Sequence, residues 1–477
     1  MAEGGTLRVG LFGIGLAAYW SQFAGLEERL QGYVARVGER LAGPDREIVN
    51  FGLVDSPERA YAVGHEARRR DVDLLVLYVT TYALSSTVLP VVRRAKVPVV
   101  VLNLQPEAKI DYAKFKALPD RTAMTGEWLA YCSACPVPEI ANVFARTGVP
   151  FHQVTGVLED DPETWNEVEQ WMAAAQVMEA LSHLRLGLMG HYYGGMLDIV
   201  TDLTAVSGTF GTHIEMLEID ELGALRAEIT TAEIAGKLAE FDEVFEVQAE
   251  CGVEDLEQAA RTALALDALV ARHALGALAY FYSGSGCAIN EDTITSIILG
   301  TSLLTRRGVP VAGEYEVKNV LAMKIMDSLG AGGSFTEYYA VDFKDDIVMM
   351  GHDGPGHPGI AQGRVKVKPL QVYHGKVGRG LSVEMSVKHG PVTLLSVVED
   401  KLHGFKLVVA EGATEDGPTL AIGNTNSRYR FPIGARRFLE AWNAQAPAHH
   451  CAVGVGHVGG TLEKLAKLLG LGFARVC

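Results

Sequence analysis

In the first third of the chain, apolar residues gather into short uninterrupted runs: Leu7–Phe12, Ile48–Val54, Leu74–Tyr78 and Val97–Leu102. Between these runs, Trp20–Leu41, Pro57–Arg70 and a stretch near Val88–Ala95 carry apolar residues at helical spacing. Uninterrupted apolar strands alternating with amphipathic helices predict a parallel sheet covered on both faces. The acidic segment Glu159–Ala180 predicts a connecting helix, with Asp160, Asp161 and Pro162 at its start. A second α/β unit begins near Leu186. It comprises the strand LGLMG, a glycine loop at Gly194 and Gly195, strand His213–Leu217, helix Val253–His273, strand Ala277–Tyr282, and helices Thr293–Arg306 and Val317–Leu329.

After Gly330 the pattern changes. Phe335–Phe343, Ile347–Met350, Arg364–Leu370, Leu381–Lys388 and Val392–Val398 alternate and are broken by Gly and Pro, and Phe405–Glu411 adds another strand. A mostly antiparallel β domain, of barrel type, is expected. It closes with helix Ile433–Ala444, strand Cys451–Val455 and helix Leu462–Leu469. The predicted architecture is α/β, with domains at 1–180, 181–332 and 333–477. A length of 477 residues accommodates three cores of ordinary size.

Composition narrows the function classes. With 42 basic against 58 acidic residues the formal charge is −16, which repels phosphate backbones, so a small-molecule ligand is expected and nucleic acid is not. The uncharged stretch Leu74–Val92 approaches the length of a membrane span. It contains Thr80, Thr81, Ser85, Ser86, Thr87 and Pro90, however, and reads as strand, loop and helix start. The N-terminal MAEGGTLRVG has neither a basic lead nor an apolar signal core, and six scattered cysteines fit a reducing compartment, so a cytoplasmic location is expected.

Several residues are candidates for chemistry. Gly13-Ile14-Gly15-Leu16-Ala17-Ala18 formally satisfies the GxGxxA dinucleotide fingerprint, but Glu27 and Glu28 lie within a helical pattern and not at the end of a second strand, which weakens an NAD reading. Cys132-Ser133-Ala134-Cys135 has the spacing of a redox pair or half a zinc site, and no second pair completes the latter. Glu314, Glu337, His352 and His450 occur in glycine-rich or strand-end contexts. Singly, Glu314 also reads as a helix-start acid, Glu337 as a solvated strand residue, and His352 and His450 as structural histidines. Together, two carboxylates and two imidazoles match the ligands of Mn²⁺, Mg²⁺ or Co²⁺.

The order of four motifs resembles the L-arabinose isomerase and L-fucose isomerase superfamily, on the arabinose isomerase side. The motifs are Gly308–Glu314 (GVPVAGE), Gly333–Tyr339 (GSFTEYY), Ile347–His352 (IVMMGH) and His449-His450. The resemblance implies two Rossmann-like α/β domains followed by a C-terminal β-barrel, a divalent metal, usually Mn²⁺, and homotrimers or homohexamers with sites between subunits. It further implies metal-binding acid/base roles for Glu314 and Glu337, and metal ligation by His352 and, of the histidine pair, His450. The implied reaction is aldose–ketose isomerisation of an unphosphorylated pentose, hexose or deoxyhexose through a cis-enediol. The family's Gln and His in the stretch matching Cys132–Cys135 are both replaced by Cys, which puts L-arabinose itself in doubt as substrate. Tyr19, Trp20, Gln22, Cys132, Cys135, His191 and His449 are candidate sugar contacts, with Tyr192 and His357 as further pocket residues; Trp20 reads equally as core. The rival readings are an NAD-linked oxidoreductase built on Gly13 and Gly15, and a non-catalytic sugar-binding protein on the same fold.

Overall fold

A computed structural model describes residues 5–284, 286–371, 378–401 and 404–477; the first four residues of the N-terminal segment discussed above lie outside the described residues. The chain divides into two compact units, Gly5–Glu179 and Ala180–Cys477.

The first unit is built on strands β1 (Leu7–Ile14), β2 (Arg46–Val54), β3 (Leu74–Tyr78), β4 (Val99–Gln105) and β5 (Phe151–Val157). They form one parallel sheet in the order β2-β1-β3-β4-β5. Every residue of β3 is buried, which is why the run is apolar without alternation. The helix Pro57–Arg69 starts where its sequence directs: Ser56 accepts from the Arg59 N–H and Pro57 occupies the first turn. The helical pattern from Trp20 begins later than its spacing suggests. Gly25, at φ 78°, turns the chain, and the helix runs from Leu26 to Leu41.

The second unit opens with β6 (Arg185–Gly190), β7 (His213–Leu217), β8 (Phe245–Val247), β9 (Ala277–Phe281) and β10 (Val311–Ala312). Four of these make a parallel sheet in the order β10-β9-β6-β7. The expected helix Thr293–Arg306 is two helices, Ala288–Thr295 and Ile298–Arg306. At the break, the Ser296 hydroxyl bonds back to the Asp292 carbonyl and to Thr262, competing with the helical ladder.

Further strands follow: β11 (Ser334–Asp342), β12 (Ile347–His352), β13 (Val365–Pro369), β14 (Leu381–Glu384), β15 (Gly390–Asp400), β16 (Gly404–Glu415), β17 (Thr425–Arg430), β18 (His450–Val455) and β19 (Gly472–Arg475). Six of them close an antiparallel barrel in the order β15-β18-β11-β12-β17-β16, with β15 paired to β16, and β19 adds parallel to β16. The runs around β13 and β14, expected in the barrel, instead form a separate three-stranded sheet with β8. One apolar core runs through this unit, from Leu278 and Val311 to Val348, Leu394 and Val408. The helix Val317–Ser328 packs against β15 and β18, which brings its start to the barrel wall. Among the described residues no helix is long and apolar enough to cross a membrane.

Candidate metal centre

Glu314 sits just past β10, and neither it nor Tyr315 is in ordinary backbone: their φ angles are 59° and 64°. Two consecutive non-glycine residues in the left-handed region cost about 1–3 kcal/mol each, which surrounding contacts must offset. The Tyr315 N–H donates to the Tyr280 carbonyl (3.1 Å), and the Tyr193 N–H to the Glu314 carbonyl (3.4 Å). The turn ends as Glu316 enters the N-cap position of helix Val317–Ser328, so Glu314 is not the N-cap residue, and the Glu316 side chain makes no capping hydrogen bond either.

The barrel supplies the opposite wall. In the β11–β18 ladder Glu337 lies directly across from His450, and in the β11–β12 ladder it lies across from Gly351, next to His352. Cross-strand partners on one face are close by construction, so pairing register alone joins Glu337 to His450. β17 fixes the end of β12: the His352 N–H donates to Thr425 Oγ1, and this hydroxyl donates to the His352 carbonyl, both at 2.9 Å. Phe335 seats both imidazoles, with ring centroids 4.4 Å from His352 and 4.3 Å from His450.

These elements converge. His450 Nε2 lies 3.5 Å from Glu314 Oε2 and 4.0 Å from Glu337 Oε2, and the His352 and His450 ring centroids are 5.0 Å apart. His449 Nε2 reaches to 3.8 Å from Glu314 Oε2. Ligand atoms of Glu314, His449 and His450 all lie within 4.8 Å of one another, a group able to hold a metal ion. His450 is 1% exposed, and its Nε2 has no hydrogen-bond partner among the described residues. A buried imidazole nitrogen near two carboxylates fits a cation, which satisfies the nitrogen. The donor set, carboxylate oxygen with imidazole nitrogen, suits Mn²⁺, Co²⁺ or Mg²⁺.

Sequence reasoning assigned no role to two residues that shape this centre. Glu316, fully buried, meets His450 Nδ1 through its Oε2. Burial pushes the Glu316 carboxyl up to about 8, and burial together with His449 holds the His450 imidazole well below its usual range. The contact engages Nδ1, which leaves Nε2 turned to Glu314 and Glu337. Asp198, on the loop after β6, accepts from His449 Nδ1–H (2.5 Å) and from the His449 backbone N–H (3.0 Å). Burial lowers the His449 imidazole, but the bond to Asp198 outweighs it and the net shift is upward. The spacing of Glu314 and Glu316 in AGEYE was the one available signal for the former; nothing local marks Asp198.

No family model matches the chain. Two curated relatives do. An L-arabinose isomerase of Nocardioides sp. is 24% identical over 349 residues, covering 70% of this chain and 67% of the relative. An L-arabinose isomerase of Bacillus subtilis is 22% identical over 326 residues, covering 65% and 64%. The chain is related to the L-arabinose isomerases. It spans about two thirds of the length of these relatives.

The other candidates of this arabinose-isomerase-like chain fall in two places. His191 follows β6 and packs edge-on against Phe281 at 5.4 Å, beside Tyr193. Tyr192 meets Tyr315 at 4.9 Å, and His357 is buried, its Nδ1 accepting from the Gly359 N–H. In the first unit, Tyr19 lies edge-on to Trp20 and Phe23, the Trp20 Nε1–H donates to Asp55 (2.8 Å), and Gln22 donates to the Ala18 carbonyl. Trp20 thus takes part in a local anchor. Cys132 is buried and Cys135 exposed; all six cysteines are free thiols. Burial, followed by Tyr82, Cys132 and Cys135, raises the Tyr19 phenol, so these four side chains form one cluster.

Proposed function

We propose that the protein is a divalent-cation-dependent aldose–ketose isomerase acting on an unphosphorylated pentose, hexose or deoxyhexose of the L-arabinose or L-fucose type, with Mn²⁺ as its ion. The approach of His450 Nε2 to Glu314 (3.5 Å) and to Glu337 (4.0 Å) carries this reading, and the activity named for both relatives supports it. In it, Glu314, Glu337, His352 and His450 hold the cation, which, once bound, stabilises charge on neighbouring sugar oxygens.

The residues do the rest. Moving a carbonyl from C1 to C2 requires a proton to leave one carbon and return to its neighbour. One of the two carboxylates takes that proton and the other handles the hydroxyl proton, so the sugar passes through a cis-enediol. Glu316 keeps the His450 ring oriented, and Thr425 keeps the end of β12 in place beneath His352. Neither nicotinamide nor phosphate enters these steps. We further infer a cytoplasmic homotrimer or homohexamer with sites between subunits.

The test is ketose formation. The full-length protein, stripped with EDTA and reloaded with Mn²⁺, is offered a panel of pentoses, hexoses and deoxyhexoses. Conversion that disappears on stripping and returns with Mn²⁺ or Co²⁺ is expected. Full conversion with no metal left would remove the assignment.

A further inference from the structure

Asp198 lies outside the set of residues assigned above, yet it makes two hydrogen bonds to a residue of the centre. Its Oδ2 accepts from both the backbone N–H and the ring Nδ1–H of His449. One carboxylate oxygen gripping backbone and ring together leaves the imidazole little freedom to rotate. With Nδ1–H committed, the ring's other nitrogen is turned inward, and it lies 3.8 Å from Glu314 Oε2. Asp198 is itself anchored, because its backbone carbonyl accepts from the buried Lys318 ammonium at 2.7 Å, an ammonium that also donates to the Val200 carbonyl. The arrangement repeats what Glu316 does for His450: a carboxylate on one imidazole nitrogen, the centre at the other. Metal-ligating histidines characteristically carry such an outer carboxylate, and losing it weakens the metal.

We propose that Asp198 is a positioning residue of this centre, acting through His449 so that the Nε2 of that ring serves as a further nitrogen ligand beside Glu314 and His450. The inference rests on reading the centre as a cation site, and it does not depend on which sugar is turned over. Asp198 borders an open cavity of about 760 Å³, also lined by Val200, Thr201, Glu399 and Ala448, so its side chain can be changed without disturbing packed core.

The experiment is calorimetric titration of Mn²⁺ alone into the EDTA-stripped full-length protein, with circular dichroism and thermal melting as checks on folding. Asp198→Ala is expected to raise the Mn²⁺ Kd about 10- to 100-fold. Asp198→Asn retains an oxygen that accepts the Nδ1–H and should lose less, which separates positioning from general damage. In a His449→Gln background, Asp198→Ala should add little. A wild-type Kd in Asp198→Ala, or an undiminished loss in the His449→Gln background, overturns the proposal while leaving the isomerase reading intact. A wild-type protein that binds no Mn²⁺ overturns both. Asp198-dependent Mn²⁺ binding without ketose from any sugar supports the positioning role and rejects the isomerase.

Discussion

Two loops leave parallel strands through glycine, one after β1 and one after β10, and they have opposite characters. After β1 the chain relaxes into hydrogen bonds: the Gly15 N–H reaches the Val54 carbonyl, the Ala17 N–H reaches that of Asp55, and a single 3₁₀ turn spans Ala17–Tyr19. The glycines there make room for side chains. A Cβ on Gly13 would come within 2.4 Å of Val34, and one on Gly15 within 2.7 Å of the Trp20 ring. No α-helix starts at this turn, whereas the dinucleotide fingerprint needs one whose N-terminus faces the pyrophosphate; the next α-helix begins at Leu26. After β10 the glycine gives way to two strained residues, and one of them is Glu314. The loop that best matches a familiar motif is thus the relaxed one, and strain accompanies the carboxylate.

The contrast can be broken most sharply at Glu314. Glu314→Gln, or Glu337→Gln on the barrel side, should cut isomerisation about 10³-fold or more with thermal melting unchanged, since each removes an acid/base group and leaves the shape. Substantial turnover in both variants would show that the strained loop serves some other purpose. Next in size, Glu316→Gln should raise the Mn²⁺ Kd about 10-fold or more by loosening the His450 ring, read by the same titration of the stripped protein.

The loop after β1 should respond in stability and not in metal binding. Gly15→Ala drives a methyl into the Trp20 ring and is expected to cost about 1–3 kcal/mol of first-unit stability by denaturant melting, with the Mn²⁺ Kd unchanged. A smaller effect tests the packing behind that loop. Glu127 pairs with Arg29 (2.6 Å) and Lys114 (3.0 Å); burial opposes its charge, but these cations outweigh burial and hold the carboxyl below its usual range. A carboxyl depressed in the folded state adds stability that is complete above the ordinary carboxylate pKa and fades as pH falls through the depressed value. Glu127→Gln should therefore cost about 1 kcal/mol at pH 7 and progressively less as pH falls below the ordinary carboxylate range, by melting across a pH series.

The parallel sheets were readable because burial on both faces demands apolar residues, as in β3 and β9. β17 was not readable, for the opposite reason. Thr425, Asn426, Ser427 and Arg428 are polar and yet buried, and hydropathy has no means of seeing a strand whose inner residues are paid for in hydrogen bonds. Thr425 bonds His352, Asn426 bonds Leu420 through both amide atoms, and Ser427 accepts from the Val387 N–H. Of these, only Thr425 touches a residue of the centre. A similar limit governed the site. Glu314, Glu337, His352 and His450 read as ordinary residues singly and drew notice only through the order of four short motifs, whereas Glu316 and Asp198 take their meaning from partners 134 and 251 positions away.

The small sheet that joins β8 to β13 and β14 has a practical consequence. β8 precedes residue 332 and its partners follow it, just as Glu314 and Glu316 precede that point and Glu337, His352 and His450 follow it. Splitting the gene there would yield one polypeptide with a naked edge at Phe245–Val247 and another with Glu337, His352 and His450 but without Glu314. Neither fragment is expected to be autonomous, and mixing them would be a complementation assay in which folding and cation capture return together.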